Sequence, residues 1–329
     1  MSADDPGPTR RGFLQAAALV GVAGLAGCGA IPESPGSTAT PRDSTSSSGG
    51  RGAYATWLHE PGAVVDRRTH YYADFFDATA FRDHASALPE GATGKMQSRV
   101  DLGIFSGLDV RVEDVEQYLV IGTPPRNVTP VFIGTFDAGA VIDGLVAEGA
   151  QTRGEYGGFT LLTRREAPVA VSEDAVLWHN TTLAETDVPA SEAVDRIEAV
   201  IDAKRGEAPR YADANEEFAL LADTLGSGAR VTTRTFPRIE DPPAMNFEDE
   251  VASGERVAIG ADTSRKELVK VFAAPEDVPV DALREWSDGN VVFDGYRDLR
   301  VSKSGRVGIV TGAIDTGRLL CRHDCDPSG

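Results

Sequence analysis

The chain reads as an α+β fold: a duplicated strand-strand-helix-strands unit with antiparallel sheets, helices on one face and a helical insert between the copies. Three observations predict it. Short apolar runs closed by Gly, Pro or Asn recur after residue 118, as strands and tight turns do. Apolar residues at helical spacing interrupt those runs at three places. The element order then returns: Ile121-Gly122 and Ile259-Gly260 lie 138 residues apart, and Gly158 and Gly295 lie 137 apart.

Taken in order, Tyr54 to Leu58 and Tyr71 to Phe76 are strand-like, and a helix is predicted near 78–88. Leu119-Val120-Ile121 ends at Gly122, and Thr123 to Asn127 turns the chain into Val131-Phe132-Ile133-Gly134-Thr135-Phe136. Asp137 is suited to cap a helix over about 138–148, with Val141, Ile142, Leu145 and Val146 on one side and Gly149 as its stop. Strands follow at Phe159 to Leu162, Val169 to Val171 and Val176 to Trp178.

The insert, about 189–226, carries a helix from Ser191 to about Lys204 and another near 214–225. Val231 to Phe236 alternates like a strand, and an acidic, Pro-containing loop follows from Pro237 to Glu250. Val257 to Gly260 and Leu268 to Phe272 open the second copy. A short helix fits about 279–287, with Val280, Leu283 and Trp286 inward, and Val291 to Phe293, Val301 and Val307 to Val310 complete it. The copies span about 119–179 and 256–312 within a globular region of 53–318, with a C-terminal tail at 319–329.

Ahead of this region, Thr9-Arg10-Arg11-Gly12-Phe13-Leu14-Gln15 opens an apolar stretch ending at Leu25-Ala26-Gly27-Cys28. The apolar stretch from Phe13 to Ala26 holds 14 uncharged residues, several of them Gly or Ala. A spanning helix needs about 20 apolar residues, so a membrane span is disfavoured. The parts are those of an export signal. The segment resembles a twin-arginine signal peptide joined to a lipobox, with Arg10 and Arg11 as the export motif. That resemblance implies removal of residues 1–27 and lipidation of Cys28, hence a cell-membrane anchor on the extracellular side. Residues 28–52 are rich in Ser, Thr, Pro and Gly, cannot bury enough apolar area to offset chain entropy, and are expected to form a disordered tether.

The formal net charge is −19, from 32 basic and 51 acidic residues. Asp4 and Asp5 offset Arg10 and Arg11, and Glu33 and Asp43 offset Arg42 and Arg51, so the surplus lies entirely in the folded part. Such a surface repels phosphate backbones and argues against nucleic acid as a partner. Lysine is confined to Lys95, Lys204, Lys266, Lys270 and Lys303. An acidic, lysine-poor composition suits high salt, which screens self-repulsion.

Of three cysteines, Cys28 is assigned to the lipid, leaving Cys321 and Cys325. A disulfide is compatible with an oxidising exterior, although the loop is short. Free thiols, or a metal site using His323 and Asp324, are the further options.

No GxSxG, GxxxxGK[ST], HExxH or SxxK pattern is present. The strongest cluster of metal-ligating types is His70, Asp74, Asp77 and His84, in which His70, Tyr72 and Asp74 would share one strand face. A solvated polar face, with Tyr71, Ala73 and Phe75 packed inward, is the favoured reading of that strand. Glu240-Asp241 and Glu248-Asp249-Glu250 lack EF-hand spacing and are read as hydrated surface. Asn127-Val128-Thr129 and Asn180-Thr181-Thr182 fit the N-glycosylation pattern, with Pro130 weakening the first.

The twin-arginine lipobox, the Ser/Thr-rich tether and the acidic, lysine-poor body together make the chain similar to twin-arginine-exported lipoproteins of haloarchaea, a group of uncharacterised function. Gly134-Thr135-Phe136-Asp137 and Tyr156-Gly157-Gly158-Phe159 look like parts of that group's pattern. The resemblance implies no catalytic residues. The expected function is a membrane-anchored, non-enzymatic binding, sensing or envelope module for an unknown protein or small-molecule ligand, with no cofactor. The alternative is an extracellular hydrolase or metal-dependent enzyme using His70 and Asp74.

Overall fold

Strand-forming runs from Tyr71 to Asp315 join one antiparallel sheet. The structure, a computed structural model, describes residues 50–61, 71–89, 92, 94, 110–122, 128–164, 167–179, 190–236 and 246–319. The elements are β1 Tyr71–Asp77, α1 Ala78–Asp83, β2 Val115–Gly122, β3 Val128–Gly134, α2 Ala138–Ala147, β4 Gln151–Tyr156, β5 Phe159–Arg164, β6 Ala167–Val171 and β7 Ala175–Trp178. They continue as α3 Ala190–Arg205, α4 Tyr211–Ala214, α5 Glu216–Leu225, β8 Arg230–Thr235, β9 Glu250–Ala258, β10 Thr263–Phe272, α6 Val280–Gly289, β11 Arg297–Ser304 and β12 Val307–Asp315. The sheet runs β11-β12-β10-β9-β8-β1-β2-β3-β7-β6-β5-β4. At its centre β1 pairs β8 antiparallel, with Ala73 opposite Thr233.

Helices cover both faces of this sheet, not one face as the sequence predicts. On the first face, Ile197, Val200 and Ile201 of α3 and Phe218, Leu221 and Leu225 of α5 pack on Ala73, Phe75, Leu119, Val131, Leu177, Val231, Val269 and Val271. On the opposite face, Phe81, Val141 and Leu145 pack on Phe76, Tyr118, Phe132, Val169 and Val176. There too Leu283 of α6 packs with Phe272 and Val310. The cause is visible in β7, where all four residues are buried. A strand apolar on both sides must be covered on both.

Local chemistry sets the helix ends. Asp77 and Asp137 each accept a backbone N–H from three residues on, at 2.9 and 3.0 Å, and so cap α1 and α2. Asn215 does the same for α5 through Phe218 N at 2.7 Å. Residues 78–88 are predicted helical, but α1 stops at Asp83, where the imidazole of His84 lies 2.9 Å from the Ala80 carbonyl and competes for the ladder. The segment read as a strand at Tyr54 to Leu58 is a 3₁₀ turn over Ala53–Trp57, with the Thr56 hydroxyl donating 2.7 Å to the Ala53 carbonyl. Tyr54 and Trp57, one 3₁₀ turn apart, both enter the core on the α3–α5 side. Val291–Phe293 likewise forms a 3₁₀ turn, capped by Asn290.

Edge strand β4 has no apolar period, since Gln151 to Glu155 are all exposed, and sequence patterning passes over it. The other edge, β11, bears Arg297, Arg300 and Lys303 and a break in register between Arg297 and Arg300. Polar, irregular edges of this kind resist pairing with another chain.

Candidate functional site

On the sheet face that carries α1, α2 and α6, the central strands present polar side chains where the helices leave them uncovered. Strand pairing places these in three cross-strand rows. The first is Tyr72, Arg234, Ser253 and Lys270; the second is Asp74, Thr232, Glu255 and Leu268; the third is Phe76, Arg230, Val257 and Lys266. Above them Trp286 of α6 and Val292 form one wall of a groove of about 250 Å³.

The charges in the groove are largely fixed by one another. Arg230 donates through Nε and Nη2 to the two carboxylate oxygens of Asp74, at 3.1 and 3.2 Å, a fork that only the planar guanidinium makes. Its Nη1 lies 4.0 Å from Glu255, whose other oxygen is 2.9 Å from Lys266 Nζ. Lys266 also donates to the Val292 carbonyl at 3.1 Å. Burial works against the Arg230 charge, but Asp74 and Glu255 outweigh it and its pKa is raised.

Lys270 donates to both oxygens of Glu250, and its ammonium lies 5.3 Å from the Phe247 ring centre and 5.5 Å from that of Trp286. Burial is the largest influence on Lys270 and lowers its pKa against the opposing pull of Glu250, and Arg234 adds to the lowering. Arg234 itself is exposed and has no ion-pair partner among the described residues. Trp286 adds a buried indole N–H without an acceptor among the described residues.

A second polar cluster lies under α3, on the other face. Tyr71 Oη is 2.8 Å from His59 Nδ1, and Thr129 Oγ1 is 2.9 Å from His179 Nδ1. Burial, reinforced by Arg196, lowers the pKa of His59 to about 4 and of His179 to about 3, so both imidazoles are neutral at pH 7. Arg196 is held to Glu192 at 2.7 Å. This cluster is sealed by α3.

The groove offers binding chemistry: forked and point cations, hydroxyls and an aromatic wall. Among the described residues, no hydroxyl in the groove is paired with an imidazole base; His59 and His179 sit on the opposite face. Among the described residues no group of three or more His, Cys, Asp or Glu is arranged to hold a metal ion.

Of the residues singled out from sequence, Asp74, Asp77 and His84 do not converge. Asp74 is gripped by Arg230, Asp77 caps α1, and His84 closes that helix. The β1 face predicted to be solvated is largely covered: Tyr72 is half-buried and Asp74 is 6% exposed. Arg230 reaches it from a strand 156 residues away, which local alternation does not reveal. Glu250, read as hydrated surface, is fully buried because Lys270 neutralises it there, while Asp249 takes a turn with φ of 60°. Arg10, Arg11, Cys28, His70, Asn127, Asn180, Glu240, Asp241, Cys321 and Cys325 lie outside the described residues.

Sequence reading missed Arg230, Arg234, Glu255, Lys266, Lys270 and Trp286 as a group. Two signals pointed to them. Arg230, Thr232 and Arg234 alternate with Val231, and two of the chain's five lysines fall four residues apart in one strand, on the same face.

Fold and groove together define an α+β module with a polar recess on a twelve-stranded sheet. No family model matches the sequence, and no curated protein does. Among solved structures, three crystal forms of TP0453 are similar. Form I shows 10% identity and a TM-score of 0.43, covering 82% of this chain and 96% of TP0453. Form III shows 12% identity and 0.42 over 80% and 96%, and form IV 11% and 0.42 over 81% and 97%.

Proposed function

We propose that this chain is an exported lipoprotein held at the outer face of the cell membrane through Cys28. Its folded part is a non-enzymatic module that binds its ligand in the groove between β1, β8, β9, β10 and α6. The observation that carries the binding role is the groove itself: about 250 Å³ of recess lined by Tyr72, Arg230, Arg234, Glu255, Lys270 and Trp286. A few converging polar groups beside an aromatic wall are the ordinary make-up of a small-molecule site. The anchoring role rests on Arg10, Arg11 and the apolar run to Cys28. No helix among the described residues is long and apolar enough to cross a membrane.

The same reading takes the sheet as a diverged duplication. In one half the hairpin β2–β3 leads to α2, and the chain returns with β7 beside β3. In the other, β9–β10 leads to α6, and β12 returns beside β10. By this topology β6–β7 correspond to β11–β12 and β4–β5 are an addition to the first copy, whereas the Gly158 and Gly295 spacing aligns β5 with β11. The groove then lies where the copies meet, at β1 and β8.

Two measurements test the function. Cys28→Ser should move the protein from the membrane fraction to the soluble one; retention at the membrane overturns the anchor. A thermal-shift screen of sugars, amines and organic acids should yield compounds that raise Tm in the native protein but not in Thr232→Phe, which fills the groove floor. If no compound depends on Thr232, the binding role is wrong.

A further inference from the structure

We propose that the groove takes a small oxyanion-bearing ligand, an organic carboxylate or phosphate with a flat apolar body, and that Arg234 is the residue that receives its charge. The inference rests on the binding role above and names the class of ligand.

The first support is charge balance. Among the described residues, the groove and its floor hold four cations, Arg230, Arg234, Lys266 and Lys270, against three anions, Asp74, Glu250 and Glu255. Three of the cations are held by carboxylates within 4.0 Å. Arg234 is the fourth, exposed at the lip, close enough for its charge to act on Lys270. In a chain of net charge −19, a cation left over beside a neighbouring cation is an uncommon local field, and a recess concentrates that field. A guanidinium without a carboxylate is geometrically suited to the paired oxygens of a carboxylate or phosphate.

The second support is independent of charge. Trp286 lines the same recess, and its buried indole N–H has no acceptor among the described residues. A buried donor left without an acceptor is a cost to the unliganded protein. The indole and Val292 form an apolar wall, and Leu268 lies in the floor. Oxygens at the Arg234 lip and a flat body along that wall match this distribution. Arg230 and Lys266 are already ion-paired with Asp74 and Glu255 in the floor.

Calorimetric titration at fixed ionic strength, using phenyl phosphate, benzoate, phenol and benzylamine, is the test. Phenyl phosphate and benzoate should bind, with indole fluorescence changing in the native protein and unchanged in Trp286→Phe. Arg234→Gln should weaken both anions about tenfold or more, and Arg234→Lys should recover part of the loss. Arg234 is exposed and pairs with no described carboxylate, so its replacement leaves folding intact, which an unchanged Tm will verify. Phenol or benzylamine binding as tightly as the anions, or anion binding indifferent to Arg234, overturns the proposal. So does binding to anionic lipid vesicles without binding to the soluble anions. If the screen yields Thr232-dependent sugars or amines but no acids, the ligand class is wrong and the binding role stands.

Discussion

Lys270 Nζ lies 2.8 and 2.9 Å from the two oxygens of Glu250, and both side chains are almost wholly removed from solvent. The pair joins adjacent strands β9 and β10, and Glu250 also accepts the Phe247 N–H at 2.9 Å. Pairs so buried contribute little beyond an apolar substitute, yet losing one partner strands a charge. Lys270→Met is therefore expected to destabilise the fold by about 3–5 kcal/mol, read by urea unfolding. The double variant Lys270→Met with Glu250→Gln should recover much of it. A single variant as stable as the native chain would show that the pair is not isolated from water.

Asp74 and Arg230 make the forked contact across β1 and β8, at the sheet centre. Asp74→Asn keeps the shape and removes the charge, and about 2 kcal/mol or more of stability should go with it. Among the described residues, Arg230 then keeps Glu255, at 4.0 Å, as its anionic partner. Were Asp74 instead a catalytic or metal-binding group, the same change would abolish activity while leaving Tm unmoved.

The neutral imidazoles beneath α3 make the fold sensitive to acid. An unfolded histidine takes up a proton below about pH 6.5, whereas folded His59 and His179 resist until about pH 4 and about pH 3. Between those limits the unfolded state binds more protons, so stability falls as pH drops from 7 toward 4, by about 3 kcal/mol for His59 at the acid limit and more for His179. His59 faces Tyr71 and Arg196, and His179 faces Thr129, Arg196 and His59. No carboxylate among the influences on either imidazole favours protonation. His179→Gln should flatten the slope of unfolding free energy against pH between 4 and 6.5; an unchanged slope would mean that other groups govern acid lability.

Gly254 of β9 lies directly beneath α5. A Cβ there would come within 2.6 Å of both Leu225 Cδ1 and the Thr232 carbonyl. The backbone oxygen cannot yield, so Gly254→Val should push α5 from the sheet and cost several kcal/mol, about what overpacking costs elsewhere or more. Gly289→Ala, at a position with open space, should be neutral or mildly stabilising. Equal Tm values for the two variants would contradict the packing described.

Much of the fold was legible in the sequence because its signals are local. Asp137 before Val141 and Leu145 announced α2, and Val131 to Ile133 announced β3. The continuous apolar run at Ala175 to Trp178 also held the information that both sheet faces are covered. Edge strand β4 escaped notice because exposed strands carry no apolar period, and the turn at Ala53–Trp57 because aromatic residues at that spacing suit strand and 3₁₀ alike. The groove was legible only in fragments: the alternation of Arg230, Thr232 and Arg234, and two of the scarce lysines four residues apart in one strand.

What the sequence determined by itself is what short-range chemistry controls: the strands and helices, their caps, the acidic balance, and the expectation of an export signal ending at Cys28. Only the tertiary structure decided which charges meet. Arg230 neutralises Asp74 because β8 lies antiparallel to β1 with Thr232 opposite Asp74, and Lys270 meets Glu250 at the end of the β9–β10 pairing. Register is a property of the whole sheet, fixed by every apolar residue that must face a helix, and a shift of one residue would turn each of these side chains to the opposite face.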